Sequence, residues 1–205
     1  MEADQYGKTS IASLYYDTPT YRLIRASLEK PLFKEKLRLR SYGLASEHST
    51  VYLELKRKAE GIVYKRRVQT TTQQAAAFFS GAEALCAPGQ ISREITRFRD
   101  YYGTLRPACL IIYDRTVYLE PGGDLRLTID RNPRYRMEHL SLTHSMEGTS
   151  LLPPGCSILE LKVQNAMPLW LARALSDAHI YKTSFSKYGE AYRLELKKRG
   201  IRSAS

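Results

Sequence analysis

The feature that most constrains this chain is a two-residue alternation in which one parity is basic. In Lys36-Leu37-Arg38-Leu39-Arg40 the even positions are cations and the odd ones leucines. Successive side chains of a strand point to opposite faces, so this segment sets its cations on one side of a sheet and its leucines on the other. The split recurs. Glu54, Lys56 and Lys58 share one parity, against Val51, Leu53 and Leu55. Lys65 and Arg67 share a parity in the next segment, and Arg115 lies in the middle of Tyr113-Asp114-Arg115-Thr116-Val117. Asp124, Arg126, Thr128 and Asp130 face one way, with Leu125, Leu127 and Ile129 opposite; Glu160 and Lys162 share a face further on. Any half-buried antiparallel sheet alternates polar and apolar. Here, however, the polar positions are mostly cationic, and like charges opposite one another on neighbouring strands are destabilising. Such a face calls for an anion. The few carboxylates among the cations, Glu54, Asp130 and Glu160, suit a divalent ion shared with a polyphosphate.

The rest of the chain frames these strands. Residues 10–16 are β-rich and end at Asp17-Thr18-Pro19, a start signal for a helix over 20–29. Alternation predicts strands at 33–42, 50–58 and 62–70, the last two joined by a tight turn at Ala59-Glu60-Gly61. Residues 71–87 and 91–102 read as helices. Strands at 108–119 and 124–130 flank Pro121-Gly122-Gly123. Residues 133–154 are less regular; a strand follows at 157–164, then helices at 168–178 and 185–198. Strand pairs predominate, so the fold class is α+β with a largely antiparallel sheet.

Composition limits the function classes. Lys+Arg 32 against Asp+Glu 21 leave a net charge of +11 over 205 residues, while 43% hydrophobic residues exclude a disordered basic tail. The partner is therefore polyanionic: nucleic acid, anionic headgroups or a phosphorylated small molecule. Cys86, Cys109 and Cys156 are odd in number and far apart, with no CxxC. They indicate neither a disulfide framework nor a zinc ribbon, and fit a reducing, cytoplasmic setting. No apolar run approaches the ~20 residues of a membrane-spanning helix. His139 and His144 are not at the spacing of a helical metal pair and read as loop residues. Tyr15, Tyr16, Tyr101 and Tyr102 read as core edges.

Taken in order, several segments resemble one family. They are Leu14-Tyr15-Tyr16-Asp17-Thr18-Pro19, the row from Lys36 to Arg40, Glu54-Leu55-Lys56, Tyr113-Asp114-Arg115, Arg126-Leu127-Thr128-Ile129-Asp130, Leu159-Glu160-Leu161-Lys162 and Phe185-Ser186-Lys187-Tyr188. This order resembles the VTC domain, the catalytic domain of vacuolar transporter chaperone polyphosphate polymerases and their bacterial relatives. That domain belongs to the CYTH-like triphosphate tunnel metalloenzymes. The resemblance implies an antiparallel β-barrel, with a basic tunnel inside and helices packed outside. It implies a nucleoside triphosphate, ATP, and polyphosphate as partners rather than a specific nucleic acid, and Mn²⁺ or Mg²⁺ as cofactor. Carried over by position, Arg38, Arg40, Lys56, Lys65, Arg115, Arg126, Ser186 and Lys187 are the phosphate-binding residues. Arg38, Arg40, Lys56, Arg115, Arg126 and Lys187 carry catalysis, and Glu160 holds the metal.

The resemblance leaves three functions: a polyphosphate polymerase, a triphosphatase on the same fold, and a non-catalytic module binding polyphosphate or inositol phosphates. Members usually carry a further strand with a Glu-x-Lys-like motif ahead of the Tyr-Tyr-Asp-Thr segment. Here a short polar stretch precedes Tyr15, with Lys8 its one basic residue, and it is read as holding no such strand. Residues 1–205 are thus read as one tunnel domain lacking the usual first strand. Ser186 also fits a plain helix N-cap, and Glu160 a plain partner for Lys162 or a neighbouring arginine.

Overall fold

A computed structural model describes residues 1–29, 31–85 and 89–200. Eight strands form one antiparallel sheet. They are β1 (Glu2–Asp17), β2 (Phe33–Tyr42), β3 (Thr50–Ala59), β4 (Ile62–Thr71), β5 (Arg106–Leu119), β6 (Arg126–Arg136), β7 (Thr149–Ser150) and β8 (Ile158–Lys162). The order is β4-β3-β2-β1-β5-β6-β7, with β8 also on β6. Five helices accompany them: α1 (Arg22–Leu28), α2 (Thr72–Ser80), α3 (Gln90–Tyr102), α4 (Leu169–Asp177) and α5 (Lys187–Lys198).

The leucine parity builds the main core. Leu37, Leu39, Val51, Leu53 and Leu55 are buried and join Leu110 and Ile112 of β5 under Phe78 of α2 and Ile95 and Phe98 of α3. A second core lies on the other face of the sheet. There Tyr15, Cys109, Ile111, Tyr113 and Tyr135 meet Ile24 of α1 and Tyr188 and Ala191 of α5. The expectation of helices outside holds for α2 and α3. By contrast, α5 packs on the cationic face and fills one end of it, because its Tyr188 and Ala191 are apolar where they meet the sheet.

The expected barrel appears as a strongly curved open sheet. Among the described residues no ladder joins β4 to β7 or β8. The last strands are short, 2 and 5 residues, and both pair with β6. Curvature is nevertheless large. Laid flat, β3 and β8 would stand about 24 Å apart, five inter-strand spacings, yet the Lys56 ammonium feels the charges of Glu160 and Lys162.

Three local departures have physical causes. The polar stretch ahead of residue 10 was not read as strand, but β1 begins at Glu2 and pairs with β5 from Glu2↔Leu119. Lys8 sits on the face away from the cations and reaches Asp114 at 3.7 Å. In β6, a bulge opposite Ile112 and Asp114 places Asn132 at φ +49°, a conformation Asn tolerates. It shifts the phase, so that Asp130 faces the cations while Tyr135 enters the second core. The helix expected over 71–87 stops at Ser80, where Gly81 takes the left-handed C-cap at φ +80°; residues 86–88 lie outside the described residues. That helix opens on a capping box, Thr71 Oγ1 accepting from Gln74 N–H at 3.1 Å and Gln74 Oε1 accepting from Thr71 N–H at 3.2 Å. Thr71→Ala is expected to lower the unfolding free energy by about 1 kcal/mol in urea titration.

Candidate functional site

The register fixes which side chains share the polar face. Across β2, β3 and β4, Lys36 stands opposite Lys56, and Lys56 opposite Lys65. One step along, Arg38 stands opposite Glu54, and Glu54 opposite Arg67. On the far side, Arg115 of β5 pairs with Asp130 of β6, while Thr128 and Arg126 stand opposite Glu160 and Lys162 of β8. The start of α5 bridges the two sides. Ser186 Oγ accepts from Lys36 Nζ at 2.9 Å, and Lys187 Nζ donates to Asp130 Oδ2 at 2.6 Å.

Glu54 is the hub of the first side. It is 1% exposed. Arg38 reaches its Oε2 at 2.8 Å and Arg40 at 3.8 Å, while Lys65 reaches Oε1 at 2.8 Å and Arg67 at 3.7 Å. Burial alone would raise its pKa, but Arg38, Arg40 and Lys65 outweigh burial and hold it at about 2. Arg40 is also bound inward, to Ser13 Oγ and Tyr113 Oη at 3.3 Å each. It buttresses the face from beneath. Arg38 donates to Tyr15 Oη at 3.1 Å. Burial pushes the Tyr15 phenol up, yet Arg38, Lys36 and Arg40 outweigh it and bring it below the usual tyrosine range. Tyr15 is a core edge as expected, its ring stacked on Tyr188 at 4.7 Å.

Asp130 is the hub of the second side. Arg115 holds it by two hydrogen bonds, 2.6 and 2.8 Å, and Lys187 by one. Burial raises the Asp130 pKa, but Arg115 and Lys187 pull it below the usual carboxylate range. Glu160 is more open, with 43% of its side chain exposed, near Lys162 at 3.3 Å and Arg115 at 3.6 Å. Burial raises its pKa too; Lys162 and Arg115 bring it down, so it is ionised at neutral pH. Glu160 thus is a partner of Lys162 and Arg115, as the plainer reading had it, and a carboxylate open to solvent. Likewise Ser186 is an N-cap, accepting from Gly189 N–H at 3.2 Å, and a partner of Lys36.

Lys36 and Lys56 differ from Arg38, Arg40, Lys65, Arg67, Arg115 and Lys187, each of which is paired with Glu54 or Asp130. Lys36 is half-buried and Lys56 exposed in the row of lysines, and neither forms an ion pair with a carboxylate among the described residues. Burial lowers the pKa of each, and Arg38 lowers both further. Facing cations of this kind repel, and Glu160 offsets Lys56 only in part. An anion entering here would gain several Lys and Arg donors at once.

The structure therefore gathers Arg38, Lys56, Lys65, Arg115, Glu160, Ser186 and Lys187 along one concave face. Arg126 shares the face but lies exposed at its end, opposite Lys162, and forms no ion pair among the described residues. Sequence reasoning left Lys36 and Tyr15 out of the site, and it offered Glu54 and Asp130 as ligands for a divalent ion, whereas both are buried and taken up by Arg and Lys partners. The parity of β2 marks Lys36 as readily as Arg38; the roles of Tyr15 and Asp130 depend on partners from distant strands. No group of three His, Cys, Asp or Glu side chains able to cage a metal occurs among the described residues. His139 and His144 stack on each other at 5.5 Å in an exposed loop. On the cationic face, among the described residues, Glu160 is the ionised carboxylate open to solvent, which fits a hard cation that takes its other ligands from phosphate oxygens and water.

The fold is thus one antiparallel sheet with a cationic face on one side and helices over its leucine face. The VTC domain model matches residues 1–196, and the chain belongs to the VTC domain family. No curated protein matches the sequence. Among solved structures, a Bacillus halodurans protein named as a candidate adenylate cyclase aligns with TM-score 0.52 and 12% identity, over 89% of this chain and 81% of that one. A Hippeastrum protein, HpAC1, named as a candidate adenylyl cyclase with a dominant triphosphatase activity, aligns with TM-score 0.51 and 19% identity, over 96% and 84%. Both likenesses are of fold. No helix among the described residues is long and apolar enough to cross a membrane.

Proposed function

We propose that this chain transfers the γ-phosphoryl group of a nucleoside triphosphate, ATP, to the end of a polyphosphate chain held on the cationic face. The observation that carries this reading is the pair Lys36 and Lys56, opposed in register without a carboxylate partner. Lys36, Arg38, Lys56 and Lys65 on one side, and Arg115, Arg126 and Lys187 on the other, bind phosphate oxygens. Arg supplies planar paired donors and Lys a point charge. Arg40 holds Arg38 and Glu54 in place. A terminal phosphate oxygen of the chain forms the new P–O bond as the bond from the γ-phosphorus to its bridging oxygen breaks, and the nucleoside diphosphate leaves. The clamp keeps donor and acceptor in line and spreads the charge that builds on the transferred group. Glu160 would hold Mn²⁺ or Mg²⁺ together with substrate phosphates, and that ion would supply further charge neutralisation. We take residues 1–205 as one such unit, with the curved sheet as the tunnel wall.

The fold neighbour described as a triphosphatase favours a second reading, in which water replaces the chain end. One assay separates the two. The protein is incubated with ATP and Mn²⁺ or Mg²⁺, and phosphate products are resolved by length. Metal-dependent long chains, reduced at least about tenfold in Arg38→Ala, Lys56→Ala and Glu160→Ala, are expected. Orthophosphate or pyrophosphate alone would replace the polymerase by the triphosphatase. Tight tripolyphosphate binding without turnover would leave a binding module.

A further inference from the structure

On the helix side of the sheet, α1, α3 and the start of β2 flank an open cleft of about 590 Å³. Phe33 and Glu35 in the cleft have the parity of Leu37 and Leu39, opposite to Lys36 and Arg38, although Lys34, at the start of β2 and of the cationic parity, also lines it. The floor is apolar, made by Leu23 and Phe98 of the main core. The rim is aromatic and basic. Tyr101 is 70% exposed. It meets Tyr102 edge-on, at 4.9 Å and 89°, which leaves a ring face open. Tyr102 itself is fixed, donating its hydroxyl hydrogen to Glu35 Oε2 at 2.9 Å. The Arg22 guanidinium lies 5.8 and 5.3 Å from the two ring centroids. Arg57 in the same cleft is neutralised by Glu35 and Glu94. Arg22 and Arg97 form no ion pair among the described residues.

We propose that this cleft is a second binding site, for a nucleoside phosphate, with the base stacked on Tyr101 and the phosphates on Arg22 and Arg97. The volume is that of a small-molecule site. An open aromatic face suits a base of any kind, because every base has a π-face. Unpaired guanidiniums beside it suit phosphate oxygens. Inorganic polyphosphate has nothing to place on the ring, so the two faces of the sheet discriminate between ligands with and without a base.

The test is calorimetric titration of the full chain with ADP, which carries no γ-phosphoryl group, in saturating tripolyphosphate and without divalent metal. Binding to one site is expected, weakened about tenfold or more by Tyr101→Ala and by Arg97→Glu, and retained by Tyr101→Phe. The same titration of Lys36→Ala, which weakens the opposite face, is expected to be unchanged. Absence of ADP binding overturns the proposal. So does binding that tripolyphosphate or Lys36→Ala abolishes, and so does indifference to Tyr101→Ala. Failure of the turnover assay leaves each of these outcomes unaffected, because no step of the titration requires catalysis.

Discussion

Glu54→Ala is expected to lower the unfolding free energy by about 3–5 kcal/mol, since removing one partner of a buried ion pair leaves the other charges uncompensated. Four cations converge on this carboxylate, and Arg38, Arg40, Lys65 and Arg67 form no ion pair with any other among the described residues. At roughly 2–4 °C per kcal/mol for a chain of this size, the melting temperature should fall by about 6–20 °C. Tripolyphosphate should then stabilise the variant more than the wild type, because an external anion takes over the lost neutralisation. The pH dependence has a definite sign. Glu54 titrates at about 2 in the folded protein against 4.5 ordinarily. Its contribution is complete above the ordinary value and is lost as the pH falls through about 2, a difference of order 3 kcal/mol. That segment of the acid-unfolding curve should be missing from Glu54→Ala. Equal stability of the two proteins, with superimposable acid limbs, would refute the role given to Glu54.

The sheet was legible where a local rule applied. The alternation at residues 36–40 marks both faces of β2, and its leucines and cations are found on opposite sides. The turn at Ala59-Glu60-Gly61 sets the β3–β4 register; Glu60 and Gly61 both adopt positive φ, 48° and 88°, as a two-residue hairpin turn needs. What escaped the sequence depends on contacts between distant segments. Glu54 looks like one carboxylate among lysines until strand pairing brings four cations to it. The bulge at Asn132 changes which face later β6 residues occupy, and alternation cannot foresee a change of phase. The packing of α5 on the cationic face follows from Tyr188 meeting Tyr15, 173 positions earlier in the chain. Tyr101 was read as a core edge by its neighbourhood in sequence, yet its ring stands in solvent because Tyr102 takes the inward position beside Glu35.

The second large effect is expected at Asp17, far from any phosphate. Its side chain is fully buried at the end of β1. Oδ1 accepts from Thr18 N–H at 2.8 Å and Leu23 N–H at 2.9 Å; Oδ2 accepts from Ile24 N–H at 3.0 Å and the Tyr188 hydroxyl at 3.0 Å. The N-cap residue Tyr21 is left-handed and makes no side-chain cap, and beside Asp17 only Thr18 Oγ1, accepting from Arg22 N–H at 3.0 Å, serves this turn among the described residues. Asp17→Ala thus strips the first turn of α1 and unties α5 in one step. With about 1–3 kcal/mol for each buried group left unsatisfied, a loss of about 3–5 kcal/mol is expected. Tyr188→Phe removes only the link to α5 and should cost about 1 kcal/mol. Burial raises the Asp17 pKa although its hydrogen bonds oppose this. Its pH effect therefore has the sign opposite to that of Glu54: stability is greatest below the ordinary aspartate value and declines as the pH rises through the folded one. Asp17→Asn keeps an acceptor and does not ionise, so it should fall between the wild type and Asp17→Ala and lose that decline. Because α5 carries Ser186 and Lys187, Asp17→Ala should also weaken tripolyphosphate binding under conditions where the variant is fully folded. Binding equal to wild type there would mean that α5 reaches the cationic face without its anchor on β1.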